Sequence, residues 1–242
     1  MRAVVLLCVL VGCDGIWDLE HVPAPDSGGT LAPGLAAWFP MDSVESGMIV
    51  EVVGGGFGSC TGSSCPTLTE GVRGGALLFD GVRQMVTAPS PATLNVRASF
   101  TIAVWTRIDV IPDVLTCSVN KLHLGPVDNS WQFCTTKTAA GSYWLFLGGA
   151  FSAPGPMLDV GQWHHLAATW DAMTTELRLY QDGFGVGDVL LVNLAFDDGH
   201  ITIGADVDQG QPFGFFPGAL DEFRIYTRAL AADEILALAQ LR

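Results

Sequence analysis

Positive charge is scarce in this chain. Only 11 of its 242 residues are Lys or Arg, against 25 Asp or Glu, and the formal net charge is −14. Such a chain repels phosphate, which excludes nucleic-acid binding. Charged residues of both signs make up 15%, against about 25% in an ordinary soluble domain. With 29 glycines, this argues against a helical bundle and against a charge-rich disordered chain. Beyond a short N-terminal run, no segment approaches the roughly 18 consecutive apolar residues that a membrane-crossing helix needs. There is no low-complexity tract and no repeat at a period of 20–50 residues. The Gly-x-Ser-x-Gly elbow and the His-Glu-x-x-His zinc helix are both missing.

What is present is apolar and exported in style. Half the residues (49%) are hydrophobic, enough for a large core in one domain of this length. Residues 1–12 carry Arg2, an apolar run over 3–11 and then Gly12, the layout of a short signal peptide; a buried N-terminal strand is the alternative. The run is too short to cross about 30 Å of hydrocarbon. LVGC at 10–13 resembles the lipobox of bacterial lipoproteins. That resemblance implies that Cys13 is diacylated and heads the mature chain. Two or three acyl chains hold a protein firmly on a bilayer, so a lipid-anchored protein of the bacterial cell envelope is expected. Asp14 resembles a retention signal of some lipoproteins, and inner or outer membrane stays open.

Cysteine arithmetic agrees with export. Cys8 leaves with the signal and Cys13 carries lipid, which leaves Cys60, Cys65, Cys117 and Cys134, an even number. Cys60 and Cys65 read as a loop-closing pair. A hairpin that pairs Cys117 with Cys134 centres on Gly125-Pro126, itself a turn signal, so a cross-strand disulfide is expected there. Buried free thiols or a metal site are the alternatives; the spacing does not suit zinc.

Residues 13–33 mix Ile16, Trp17 and Leu19 with Pro23, Pro25 and Gly28 and read as a flexible tether. A single domain is expected over 34–242. There, short apolar runs alternate with Gly, Pro, Asn and Asp: 35–41, 76–79, 84–88, 100–107, 114–122, 130–135, 143–147, 163–170, 176–181, 189–192, 201–204 and 218–226. This spacing predicts an all-β sandwich. Phe100, Ile102 and Val104 alternate with Thr101, Ala103 and Trp105, so both faces of that strand are apolar, as in the middle of a sheet. Residues 229–241 carry Leu230, Ile235, Leu238 and Leu241 at rough helical spacing. Asp233 and Glu234 suit the first turn of that helix, which is too short to stand without docking on the sandwich.

Six ordered blocks then form a recognisable series: GALLFDG at 75–81, SFTIAVW at 99–105, GQWHHLAATWD at 161–171, LYQDG at 179–183, ITIG at 201–204 and FPGALDEFRIYTRALAADEI at 216–235. They resemble the laminin-G-like jelly roll of the concanavalin A-like lectin/glucanase superfamily, over about residues 35–241. The resemblance implies a two-sheet antiparallel jelly-roll sandwich with a short C-terminal helix. It also implies one structural calcium, and the positions that match are Asp42 and Asp221. Relatives follow the first Asp with an oxygen-rich loop, whereas residues 43–50 here are poor in oxygen ligands. In the alternative reading, Asp42 caps a turn and Asp221 pairs with Arg224 or Arg228. Adjacent His164 and His165 point to opposite faces of a strand and do not suit one ion.

Trp131, Tyr143 and Trp144 lie in the strands whose counterparts form the concave sheet of the superfamily, which makes them candidate sugar platforms. Hydrolases of the superfamily carry Glu-x-Asp-x-x-Glu on one strand, placing paired carboxylates on one face. None of the seven glutamates here begins that pattern. The expectation is therefore a non-catalytic envelope lipoprotein that binds a carbohydrate or protein ligand. A glycoside hydrolase or polysaccharide lyase with carboxylates drawn from distant strands is the alternative.

Overall fold

The computed structural model describes residues 31–242 except 96, 123, 125–128, 140, 149, 150, 209 and 242. The signal, the lipobox with Cys13 and most of the tether lie outside the described residues, as does the Gly125-Pro126 turn. In chain order the strands are β1 (Leu35–Phe39), β2 (Met48–Val50), β3 (Phe57–Ser59), β4 (Thr67–Glu70), β5 (Gly75–Asp80), β6 (Val86–Ala88), β7 (Phe100–Ile108), β8 (Thr116–Leu122) and β9 (Asn129–Thr138). They continue with β10 (Gly141–Gly148), β11 (Phe151–Leu158), β12 (Trp163–Trp170), β13 (Glu176–Gln181), β14 (Phe184–Leu191), β15 (Ile201–Ile203), β16 (Asp206–Asp208), β17 (Gln211–Phe213) and β18 (Pro217–Tyr226). One helix, α1 (Ala232–Gln240), follows.

The strands form two eight-stranded antiparallel sheets and one small hairpin. The first sheet runs β14-β13-β12-β7-β18-β5-β4, with β1 also paired to β18. The second runs β11-β10-β9-β8-β15-β6-β3-β2, and β16-β17 stand apart. This is the expected jelly-roll sandwich. The inner faces supply the main core, in which Phe39, Phe100, Ile102, Val104, Phe133, Trp170 and Phe223 meet. A second apolar cluster lies on the outer face of the first sheet. There Ala103, Ala167, Tyr180 and Tyr226 are covered by Ile235 and Leu238 of α1, with Leu230 and Leu31 beside them. β7 is thus buried on both faces, as its alternation predicts. Leu31 is itself buried, so packing reaches into the end of the expected tether.

Several boundaries moved. β14 starts at Phe184 rather than 189, and β11 was not expected at all. Pro154 and Pro156 mark β11 against a central position, and the strand sits at the edge of its sheet, where a missing amide proton does no harm. The helix starts at Ala232 rather than 229 because Glu234 folds back, accepts the Ala231 amide and pairs with Arg228. Both expected disulfides are formed, with Cα atoms 5.0 Å apart for Cys60–Cys65 and 3.9 Å for Cys117–Cys134.

Candidate functional site

Side-chain alternation sorts the middle strands of the second sheet. Trp131, Phe133, Trp144 and Phe146 point into the main core. Trp131 is 0% and Trp144 1% exposed, so neither offers a ring face to a ligand. This corrects the platform reading: the aromatics are in the right strands but on the inner face. Trp144 instead spans the sandwich, its Nε1 donating to Gln181 Oε1 at 2.8 Å. The side chain of Tyr143 lies outside what is described.

The opposite parity builds the outer face, and it is polar. Asn120 stands opposite Gln132 on β9 and Thr202 on β15. Thr202 Oγ1 donates to Asn120 Oδ1 at 2.5 Å, and Asn120 Nδ2 donates to Ala205 O at 2.7 Å. Asn129 Nδ2 donates to Gln132 Oε1 at 3.0 Å and to Asp206 Oδ1 at 2.9 Å. The β16–β17 hairpin packs against β8 and brings Asp206 to this face, and the Cys117–Cys134 disulfide ties β8 to β9 beside it. All these side chains are buried. Asn129 Oδ1 and Ser130 Oγ are buried there without a hydrogen-bond partner among the described residues. Amide and hydroxyl groups closed to solvent in this way brace the β16–β17 hairpin against β8 and β9 rather than meet a ligand themselves. Asp206 is the one carboxylate in this network among the described residues. Lys121, by contrast, has the parity of the core and is fully buried; its Nζ donates to the carbonyls of Asp197 and Gly199, each at 2.8 Å. Burial pushes its pKa down, against the pull of Asp197 and Asp198.

Sequence reading passed over this network because isolated Asn, Gln and Thr carry no motif. The signal that could have found it is the alternation of Ser130 and Gln132 with Trp131 and Phe133.

A His–Asp pair lies elsewhere. His164 Nδ1 is 2.9 Å from Asp182 Oδ2, and the Asp159 amide donates to His164 Nε2 at 3.3 Å. Both ring nitrogens are therefore engaged in holding loops, and neither is left to activate a nucleophile. His165 points to the other face, as expected. It is buried against Trp105 with ring centroids 5.4 Å apart. Burial, assisted by nearby Arg224, pushes its pKa down to about 3, with Asp182 opposing.

Asp42 and Asp221 do converge, on the turn that precedes β5. Asp221 Oδ2 accepts the amides of Val72 (2.7 Å) and Arg73 (3.1 Å), and Asp42 Oδ1 accepts that of Gly75 (2.7 Å). A Cβ on Gly74, whose φ is 74°, would collide with the Asp42 carboxylate, so only glycine fits the turn. β18 bulges between Asp221 and Arg224, with Glu222 at φ 53°. The bulge lies where β18 changes partner along one edge, from β5 to β1. Burial pushes Asp221 up to about 7 despite its two amide bonds, and Glu222 and Asp42 add to the rise. Asp221 Oδ1 is buried without a hydrogen-bond partner among the described residues. Arg224 pairs with Glu222 and Arg228 with Glu234, so neither pairs with Asp221. Two carboxylates, one with a spare buried oxygen, fit part of a calcium shell, whose other oxygens would be carbonyls and water. No group of three or more His, Cys, Asp or Glu suited to a metal occurs among the described residues.

Comparison with known proteins agrees with this architecture. No curated protein matches the chain. Among solved structures, a Trypanosoma rangeli sialidase in complex with sialic acid is 20% identical with a TM-score of 0.68, over 85% of this chain and 32% of that one. Domain 4 of AbnA, a GH43 extracellular arabinanase from Geobacillus stearothermophilus in complex with arabinotriose, is 19% identical with a TM-score of 0.65, over 85% of this chain and 98% of that one. The binding domain of Paraclostridial Mosquitocidal Protein 1 is 16% identical with a TM-score of 0.64, over 85% and 52%. The chain spans about a third of the sialidase structures it matches. These likenesses concern the fold. The family model Laminin_G_3, of the concanavalin A-like lectin/glucanases superfamily, matches residues 80–236, more than half of the sequence. With its sandwich, register and closing β18–α1 block, the chain belongs to this laminin-G-like family of the concanavalin A-like superfamily.

Proposed function

We propose that this protein is a non-catalytic carbohydrate-binding module of the bacterial cell envelope, held to its membrane by lipid on Cys13. The binding face is the outer side of the second sheet, beside the β16–β17 hairpin. The observation that carries this reading is the laminin-G-like sandwich, shared with the AbnA domain in complex with arabinotriose; the buried network of Asn120, Asn129, Gln132, Thr202 and Asp206 braces the face that would receive the sugar. A glycosidase needs two carboxylates about 5–9.5 Å apart across the scissile bond, and this network offers Asp206 alone. The similar AbnA domain in complex with arabinotriose supports a glycan ligand.

The test is a glycan array probed with the full chain carrying Cys13→Ser, followed by a reducing-end assay on each retained glycan. Retention without new reducing ends is expected. Release of sugar would make the protein a hydrolase, and retention of no glycan would shift the reading to a protein ligand. For the anchor, the wild-type chain should fractionate with membranes and Cys13→Ser should not. For calcium, Asp42 and Asp221 would hold the ion. Its binding to the folded state alone raises the melting temperature, and an unchanged melting curve in chelator would argue against it.

A further inference from the structure

The strand paths of the two large sheets end on four strands, and three of these are guarded against a further strand. β2 and β4 have only three and four residues, and β11 carries Pro154 and Pro156. Short strands and prolines are ordinary guards of a sheet edge. β14 has neither. It runs for eight residues without Pro or Lys, and Phe184 (67%), Val189 (43%) and Leu191 (73%) are exposed along it. One side of its backbone pairs with β13, and the other is open among the described residues.

Beside this edge runs a groove. α1 lies over the outer face of the first sheet, with Leu236 close against Gly183 in the β13–β14 turn. Between the start of α1 and the strand is a cavity of about 200 Å³, whose lining includes Arg178 and Tyr180 of β13, Gly185 and Asp188 of β14, and Ala232 of α1. Gly185 stands opposite Tyr180. A Cβ at Gly185 would meet only the Tyr180 ring, at 3.9 Å, so the glycine leaves a space that an ordinary side chain would fill. An open edge with a groove beside it is how extended peptides are recognised: main-chain hydrogen bonds hold the added strand, and alternate side chains enter the groove. Eight strand residues span about 26 Å, room for a peptide of about that length.

Charge chooses the occupant. Arg178 is engaged by Glu176 at 2.8 Å. That leaves Asp188 on the strand and Asp233 in the first turn of α1, both exposed, on a chain of net charge −14. A second copy would bring the same negative charge, and antiparallel pairing of β14 with itself about its centre would set two Asp188 side chains beside each other. We propose that the β14 edge and the groove beside α1 form a second binding site, for an extended basic segment of another protein. The segment adds as a strand to β14 and sets alternate Lys or Arg side chains beside Tyr180 and toward Asp188, where carboxylate and ring both favour a cation. This site is on the opposite sheet from the proposed sugar face and does not rest on that reading.

The probe is a fluorescein-labelled peptide of five Thr-Lys repeats, added to the full chain carrying Cys13→Ser at about 0.15 M salt, where distant charges are screened. Saturable binding below about 1 mM, read by anisotropy, is expected. Two controls separate strand addition from attraction to an acidic surface. Gly185→Val, which leaves the charge unchanged, should weaken binding at least about tenfold. The same peptide N-methylated throughout keeps its charge but has no amide protons, and it too should bind at least about tenfold more weakly. Equal binding by a folded Gly185→Val variant, equal binding of the N-methylated peptide, or no saturable binding up to about 1 mM would each overturn the proposal. If Gly185→Val does not fold, Asp188→Lys replaces it, with a loss of at least about fivefold expected and no loss overturning the proposal. Sedimentation without peptide covers the remaining occupant: a dimer that either variant dissociates would assign the edge to a second copy instead.

Discussion

His165 shows how one side chain ties burial to pH. Its pKa falls from about 6.5 in the unfolded chain to about 3 in the fold, because burial disfavours the imidazolium. Between those values the unfolded chain binds a proton that the folded chain refuses. Stability is therefore complete above about pH 6.5 and is lost as pH falls toward 3, at up to about 1.4 kcal/mol per unit. Between pH 6.5 and 5 the wild type should lose about 1.5 kcal/mol more than His165→Phe, which keeps an aromatic edge against Trp105. Urea midpoints at the two pH values measure this, and parallel losses would contradict it. Gly74 makes a second prediction at this scale. With φ at 74° and the Asp42 carboxylate where a Cβ would sit, Gly74→Ala should destabilise by about 1–3 kcal/mol in the same assay.

At the scale of strands, the outcome turns on faces. Trp131 and Trp144 sit in the core, so Trp131→Ala should lower stability by about 3–5 kcal/mol, measured by chemical unfolding. A loss below about 1 kcal/mol would return Trp131 to the surface. Removing the Cys117–Cys134 bridge, whose partners are 17 residues apart, should cost about 3 kcal/mol through the freed loop entropy. Cys117→Ala/Cys134→Ala compared with wild type measures it. The strands themselves were legible where apolar alternation was long: 163–170 and 176–181 match β12 and β13 end to end. The register implied by pairing Cys117 with Cys134 holds at both ends of the β8–β9 ladder, at Thr116–Thr135 and Leu122–Asn129, while two bulges shift the pairs between them by one residue. Short strands such as β2, β3 and β4 carry too few residues to show a period, and prolines hid β11. Which face a strand presents inward was not legible for β9 and β10, because period two fixes alternation but not sign. The polar network was hidden for the same reason: its members come from β8, β9, β15 and β16 and meet only through the register.

At the scale of the molecule, the two sheets divide the work. The first sheet is covered by the core within and, over its middle strands, by α1 without. The second sheet has the polar outer face. Asp42 and Asp221 lock the seam where β18 passes from β5 to β1, and a calcium there would give Asp221 the cation its buried carboxylate lacks. The central claim is that the outer face of the second sheet, braced from beneath by Asn129, Gln132 and Asp206, binds sugar without cutting it. Its most direct test compares glycan retention by the chain and by an Asn129→Ala/Gln132→Ala variant whose fold circular dichroism shows to be intact. Binding that falls at least about tenfold in the variant, with the glycan recovered whole from the wild type, is the predicted result. Equal retention by both proteins, or a shortened glycan, would contradict it.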